Sequence, residues 1–201
     1  MFELVLVPFL TLWMEVNVRR LSSKMLCGVL TTAAFLGCLT MPTAAQTLAV
    51  PSAPVMVDIP DAQEKPDASL DYKIVFDMQT AGATAGDMSP GLRMIGTLIN
   101  TYEKYGVAPD HLHLQAVFHG ETILLVVDEA TYKARTGFAH NPNAELLQQL
   151  SKAGLKMVVC GQSALQQHYD FKSILPMAQI NLSASVTFIN LAARGYTRMT
   201  E

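Results

Sequence analysis

Short apolar runs, which are typical of buried strands, recur along the chain from residue 72 onward. Nearly continuous runs of this kind suit strands that are covered on both faces, as in a parallel sheet. Two weaker runs near the carboxyl terminus predict shorter strands. The strong runs span 72–78 (YKIVFDM), 111–118 (HLHLQAVF) and 155–160 (LKMVVC), and the weak ones end at Ile180 and span 196–199.

Segments with helical spacing lie between these runs. Ser89 and Pro90 predict an N-cap and a first helical position, and Leu92, Ile95 and Ile99 follow on one face. A later helix opens at residues 141–142, turns Leu146, Leu147 and Leu150 inward, and stops at Gly154. Further helices are predicted over 128–135, from Ser163 to about Tyr169, and from Ser183 to Gly195, while 121–127 fits either a strand or a helical turn.

The alternation of strands and helices predicts right-handed crossovers and therefore an α/β fold. We expect a three-layer α/β/α sandwich with a mostly parallel sheet of about five strands over residues 71–201. Residues 46–70 contain four prolines among alanine, serine and acidic residues, which is typical of a linker or an extended arm.

Residues 1–45 have the pattern of a secretory signal peptide. Arg19, Arg20 and Lys24 precede an apolar stretch over 25–41, and small residues follow up to Ala45. Cleavage after Ala45 predicts a periplasmic protein. The apolar stretch is short for a membrane span, so none is expected after processing. Because residues 1–13 are unusually apolar for such a signal, Met14 and Met25 are alternative starts.

Processing would leave one cysteine, Cys160, by removing Cys27 and Cys38. A lone thiol in an oxidising compartment is reactive, bonded to a partner, or buried beyond reach. Of the 14 Lys and Arg and the 17 Asp and Glu, three and two respectively precede residue 46, which leaves a formal charge of −4. The absence of a basic patch argues against nucleic-acid binding.

The main candidate for chemistry is Cys160, at the carboxyl end of its predicted strand. Ligands and reactive groups gather at this edge of open parallel sheets. Gly161 allows a sharp turn, and a helix capped by Ser163 would turn its positive end toward the sulfur and favour the thiolate. His119 closes the preceding strand and is expected at the same edge. The alternatives are a packed core cysteine and a histidine that bonds the local backbone.

Histidines also raise the question of a metal site. His111 and His113 alternate onto one strand face with Gln115, a spacing that fits a metal site but is more often a half-exposed face. A soft-metal site could also combine Cys160 with His119 or His140, although no tight ligand spacing indicates it.

Three segments of the chain resemble the DsrE/DsrF-like family of sulfur-relay proteins, in what looks like an exported branch. They are VFHG at 117–120, NPNAELLQQLSKAGLKMVVCGQS at 141–163 and AARGY at 192–196. The resemblance covers about residues 72–200. It implies a three-layer domain that assembles as trimers or hexamers, and a persulfide carried on Cys160 without a metal or nucleotide cofactor.

Two hypotheses follow for the function. In the first, the protein is a sulfur carrier or sulfurtransferase-like protein of sulfur oxidation or sulfur relay, with donor and acceptor proteins or small sulfane-sulfur compounds as partners. His119 would tune the thiolate, Asn141 and Gln162 would hold the anionic sulfur, and Gly161 would give it room. In the second, the protein is a non-enzymatic oligomeric binding module, and Cys160 is structural.

Overall fold

The structure, a computed structural model, describes residues 47–201. The predicted signal segment, with Cys27 and Cys38, lies outside these residues. Within 47–201, no helix is both long enough and apolar enough to cross a bilayer.

The described domain alternates strands with helices, as the hydrophobic pattern predicts. The strands are β1 (Tyr72–Met78), β2 (Leu112–Phe118), β3 (Lys156–Cys160), β4 (Ala178–Asn181) and β5 (Thr197–Thr200). The α-helices are α1 (Pro90–Lys104), α2 (Glu129–Thr136), α3 (Ala144–Lys152), α4 (Gly161–Gln166) and α5 (Ala184–Ala193). Short 3₁₀ segments cover Pro109–His111, Gly120–Val126 and Phe171–Ser173.

The five strands form one sheet in the order β4-β3-β2-β1-β5, and every neighbouring pair is parallel. From β1 to β4 the chain advances in one direction across the sheet, and α5 then carries it back to the far side of β1. With right-handed crossovers, the return connection lies on the opposite face from the earlier helices. This arrangement confirms the predicted three-layer α/β/α fold.

The first face of the sheet carries the main core. Alternate strand residues such as Phe76, Phe118 and Val159 are fully buried there against the apolar sides of α1 and α3. The α1 residues at helical spacing, Leu92, Ile95 and Ile99, and the α3 leucines, Leu146, Leu147 and Leu150, are all fully buried. The sequence therefore predicted correctly which faces of α1 and α3 pack against the sheet.

The second face has a much smaller core. Val75, Val117 and Val158 point to this side and pack with Leu191, Ala184 and Phe188 of α5. Tyr196, which follows α5, also packs on this cluster, while Leu182, Val186 and Ile189 remain exposed on and beside α5. The sheet is consequently well covered on one face and thinly covered on the other.

The described part of the proline-rich segment 46–70 contacts the folded domain. Val50 and Ala53 are buried, and the side chain of Asn100 in α1 binds the backbone of both residues. Gly96 of α1 makes room for them, because an added Cβ would lie 2.6 Å from the Cβ of Ala53. This stretch is an extended arm that docks on α1.

Leu150 provides a test of the packing on the first face. The side chain is fully buried in the main core, so Leu150→Ala removes apolar contacts and leaves a cavity. We expect a loss of about 2–5 kcal/mol in the free energy of unfolding, measured by urea denaturation. The control is Leu165→Ala, whose side chain is exposed and whose loss should stay within about 0.5 kcal/mol. Equal losses in the two variants would contradict the assigned helix face.

Candidate functional site

Cys160 and His119 lie at the carboxyl edge of adjacent strands. The parallel register pairs Val117 with Val158 and Phe118 with Val159, so its continuation sets His119 level with Cys160. His119 keeps an extended backbone, with φ −149° and ψ 170°, so the strand geometry continues through it. Both side chains alternate onto the second face, which α5 covers. The structure thus brings the two predicted residues to one edge and one face.

The Cys160 thiol is largely buried, with the residue 6% exposed, and it acts as the N-cap of α4. Its Sγ accepts a hydrogen bond from the backbone N–H of Ser163 at 3.4 Å. The sequence prediction that Ser163 is the N-cap is therefore wrong, because α4 begins two residues earlier, at Gly161. The Ser163 hydroxyl instead accepts from the backbone N–H of Gly120 at 2.8 Å.

Gly161 stands at the turn from β3 to α4, where it packs closely against the chain that follows β4. A Cβ at this position would lie 2.8 Å from the backbone oxygen of Asn181, so glycine is required for the close approach of the chain after β4. Gln162 donates its backbone N–H to Leu182 O at 3.2 Å, and its side chain faces solvent. These contacts fix the turn that carries Cys160.

A buried carboxylate, Asp77, organises the neighbouring part of the edge. Its Oδ1 lies 2.6 Å from Nε2 of His119, and its Oδ2 is hydrogen-bonded to the guanidinium of Arg198 from β5. The Asp77 side chain is fully buried, whereas those of His119 and Arg198 are 30% and 52% exposed. Three strands therefore contribute to one charged cluster.

Asp77 is held in its ionised form. Burial raises the pKa of this carboxyl, but hydrogen bonds from Arg198, His119 and Gln79 outweigh burial, so the pKa lies below its usual value. An ionised carboxylate only accepts hydrogen bonds. Nε2 of His119 must therefore carry a proton, and in the neutral ring the lone pair is on Nδ1.

Phe188 of α5 packs over this cluster. The Arg198 guanidinium carbon lies 4.1 Å from the centre of the Phe188 ring, and the His119 ring meets the same ring edge-on, with centroids 6.5 Å apart. Among the described residues, no hydrogen bond joins His119 to Cys160. Any influence of this histidine on the sulfur is therefore one of charge and proximity.

Asn141 is engaged elsewhere in the fold. Its amide donates to the backbone oxygen of Leu125 at 2.8 Å, and its Oδ1 accepts from the backbone N–H of Asn143 at 2.9 Å. Asn143 in turn accepts from the backbone N–H of Ser89. These hydrogen bonds link α3 to the start of α1. The oxygen and the nitrogen of the Asn141 side chain therefore both bind backbone groups and do not face Cys160.

The other histidines do not approach Cys160. His140 is exposed and lies 3.5 Å from Glu129, whereas His111 and His113 lie 3.9 and 3.7 Å from Asp71, measured between nitrogen and carboxylate oxygen. Within residues 47–201, no group of three His, Cys, Asp or Glu side chains is placed to hold a metal ion.

Asp77 and Arg198 were not predicted as site residues from the sequence. The signal for Asp77 was present, since a carboxylate interrupts an apolar run that otherwise reads as a strand buried on both faces. A buried charge needs a partner. Arg198 could not be identified in the same way, because it lies in the short terminal strand and reaches Asp77 only through the pairing of β5 with β1.

The fold and this edge define an all-parallel α/β domain with a single described thiol at the carboxyl ends of its strands. A family model matches residues 62–200 of the chain, and its description is the DsrE/DsrF-like family. The chain therefore belongs to that family, as its motifs predict.

Individual relatives give little further information about this chain. A search of curated proteins finds no match. Among solved structures, a protein of unknown function from Methanobacterium thermoautotrophicum is similar, with 12% identity and a TM-score of 0.48. The match covers 65% of this chain and 100% of that one.

The Asp77 cluster predicts an acid-dependent stability. A carboxyl whose pKa is lower in the folded state than in the unfolded state stabilises the fold above the unfolded value, and this stabilisation is lost as the pH falls through the folded value. Asp77→Asn should therefore reduce the free energy of unfolding by about 1–3 kcal/mol at pH 7. The deficit relative to wild type should begin to shrink below about pH 4, where the carboxyl of the unfolded chain takes up a proton, and should go on shrinking until the pH reaches the lower pKa of the folded carboxyl.

Denaturation across pH 2–7 measures this effect, with the exposed Asp110→Asn as the matched control. A deficit in Asp77→Asn that stays constant over the whole pH range would show that the carboxylate charge is not the stabilising element.

Proposed function

We propose that the protein is a sulfur carrier that holds a sulfane sulfur as a persulfide on Cys160. The observation that carries the proposal is the position of this thiol at the carboxyl edge of an all-parallel sheet, level with His119, in a chain that belongs to the DsrE/DsrF-like family. A nucleophilic thiolate is the only reactive group that such a transfer requires.

The transfer consists of two balanced displacements. The Cys160 thiolate attacks the outer sulfur of a donor persulfide R–S–SH, a new S–S bond forms, and R–S⁻ leaves as the old S–S bond breaks. In the second step, an acceptor thiolate attacks the outer sulfur on Cys160, and the Cys160 thiolate is released. Each step breaks one S–S bond and forms another, so no external oxidant or reductant is needed.

The neighbouring groups suit an anionic sulfur. The Ser163 N–H already points at Sγ, and a hydrogen bond to a charged acceptor is stronger than one to a neutral acceptor. A protonated His119 would add a positive charge at the same edge, and Asp77 would hold its ring in place. In this role Asp77 is a positioning residue, since it acts on the sulfur through His119.

Export and assembly form part of the proposal. The signal-like residues 1–45 support a periplasmic carrier, and the exposed apolar residues Leu182, Val186 and Ile189 on and beside α5 support a homo-oligomer. The burial of Cys160 favours one competing function, a binding module in which the thiol is only structural. The two functions differ in whether the native thiol reacts.

Persulfide loading tests the carrier directly. After incubation of the folded protein with inorganic polysulfide, intact mass should rise by one sulfur atom, and peptide mapping should assign that atom to Cys160. The control is Cys160→Ser, which removes the thiol and keeps a similar side-chain volume. Failure of the native Cys160 to gain sulfur, in a protein that gains it after unfolding, would falsify the carrier and support the structural cysteine.

The role of His119 predicts a change in the pH profile of alkylation by iodoacetamide. His119→Ala removes a group that can carry positive charge beside the thiolate, so the profile should move to higher pH. A profile that stays unchanged in His119→Ala would remove this histidine from the mechanism.

A further inference from the structure

The thinly covered second face contains a groove that the proposed chemistry does not use. We call it the α5 groove. It has a volume of about 470 Å³, within the range of about 300–1,000 Å³ typical of small-molecule sites. Its lining comes from the second face of β2, β3 and β4, from Leu182, from one flank of α5 (Val186, Thr187, Asn190 and Leu191), and from the C-cap residue Arg194.

The floor of the α5 groove leads toward Cys160. Lys156 and Val158 lie on the floor, and Cys160 is the next residue of β3 on the same face. Asn181, which also lines the groove, is the register partner of Cys160. Through Asn181 the groove reaches the row of the sheet that contains the thiol, and Cys160 itself lies just beyond the lining.

Positive charge lies at the opposite end. Lys156 begins β3, and Arg194 caps the carboxyl end of α5, which runs back toward the amino edge of the sheet. Both side chains line the groove, no Asp or Glu does, and within residues 47–201 neither cation is part of an ion pair. Cys160 comes four residues after Lys156 along the strand, a distance of about 13 Å at about 3.3 Å per residue.

Amide side chains fill the space between the two ends. Gln115, Gln179 and Asn190 line the groove, and in the described chain no hydrogen bond occupies their side chains. The Asn181 amide donates to Thr187 Oγ1 at 3.0 Å and closes the wall near the thiol row. The lining is consequently mostly polar and carries positive charge, which fits a solvated anionic ligand.

We propose that the α5 groove binds a low-molecular-weight thiol persulfide that bears carboxylates, such as a short peptide thiol. A carboxylate would pair with Lys156 and Arg194, and the terminal persulfide would lie at the Cys160 end, where its outer sulfur passes to the thiolate as described above. This inference rests on the proposed carrier function and specifies its donor class. The length of the groove requires carboxylate and sulfur to be separated by roughly 10 Å, which excludes inorganic sulfur anions as ligands that span it.

Binding can be measured without any reaction of the thiol. S-methylglutathione carries carboxylates, but its sulfur is methylated and cannot react with the thiol. Isothermal titration calorimetry should give an affinity that is about tenfold weaker for Lys156→Gln/Arg194→Gln than for wild type. The matched control, Lys152→Gln/Arg93→Gln, removes the same charge at exposed positions outside the groove and should bind as the wild type does. Equal affinity in all three proteins, or no binding to wild type, would overturn the proposal.

The rate of sulfur loading separates this inference from the carrier role. Glutathione persulfide should load Cys160 about tenfold more slowly in Lys156→Gln/Arg194→Gln than in wild type. The persulfide of 2-mercaptoethanol, which has no carboxylate, should load both proteins at one rate. If both donors load all variants equally, the groove proposal is wrong and the carrier role stands. If S-methylglutathione binds in a charge-dependent manner but Cys160 accepts no sulfur, the carrier role fails and the groove remains a binding site.

Discussion

The charge of Asp77 is the constraint on which the carboxyl edge of the sheet depends. A carboxylate buried in a sheet is costly unless hydrogen bonds and opposite charge compensate it. Arg198 and His119 supply that compensation from the two strands that flank β1. The arrangement fixes the His119 ring and engages the terminal strand, so the geometry beside Cys160 follows from one buried charge.

The unequal covering of the two sheet faces explains how the domain can be stable while one face of its sheet is only partly covered. The main core on the first face joins α1, α3 and the central strands through fully buried side chains. The second face relies on three valines and α5. Stability therefore comes from one side, and the side that carries Cys160, His119 and the α5 groove is left partly open.

Sequence patterns predicted an element well where the spacing of its apolar residues and its capping residue indicated the same structure. Ser89 caps α1 as expected, and the buried faces of α1 and α3 match their spacing. The segment 121–127, which fitted two structures, forms a 3₁₀ turn over Gly120–Val126. The sequence could not decide between these two structures, because a short apolar segment has no periodicity that distinguishes a strand from a tight helix.

The site was harder to predict because its contacts join distant parts of the sequence. Cys160 and His119 could be assigned to one edge from strand order alone. The pairing of Asp77 with Arg198 requires β5 to lie beside β1, which no local pattern encodes. Asn141 was expected near the sulfur, yet it is part of a chain of polar side chains that links α3 to α1. Its place in the sequence motif therefore did not reveal its contacts in the folded protein.

The source of support for an anionic sulfur also differs from the sequence expectation. A helix dipole was expected to stabilise the thiolate, but α4 has only six residues, and the effect of a dipole resides in the unpaired N–H groups of its first turn. The structure directs one such group, that of Ser163, at Sγ. Ser163 is itself held to Gly120, the residue after His119. Two hydrogen bonds of Ser163 thus connect the sulfur to the histidine turn, so a change in that turn is transmitted to the N–H group that faces Sγ.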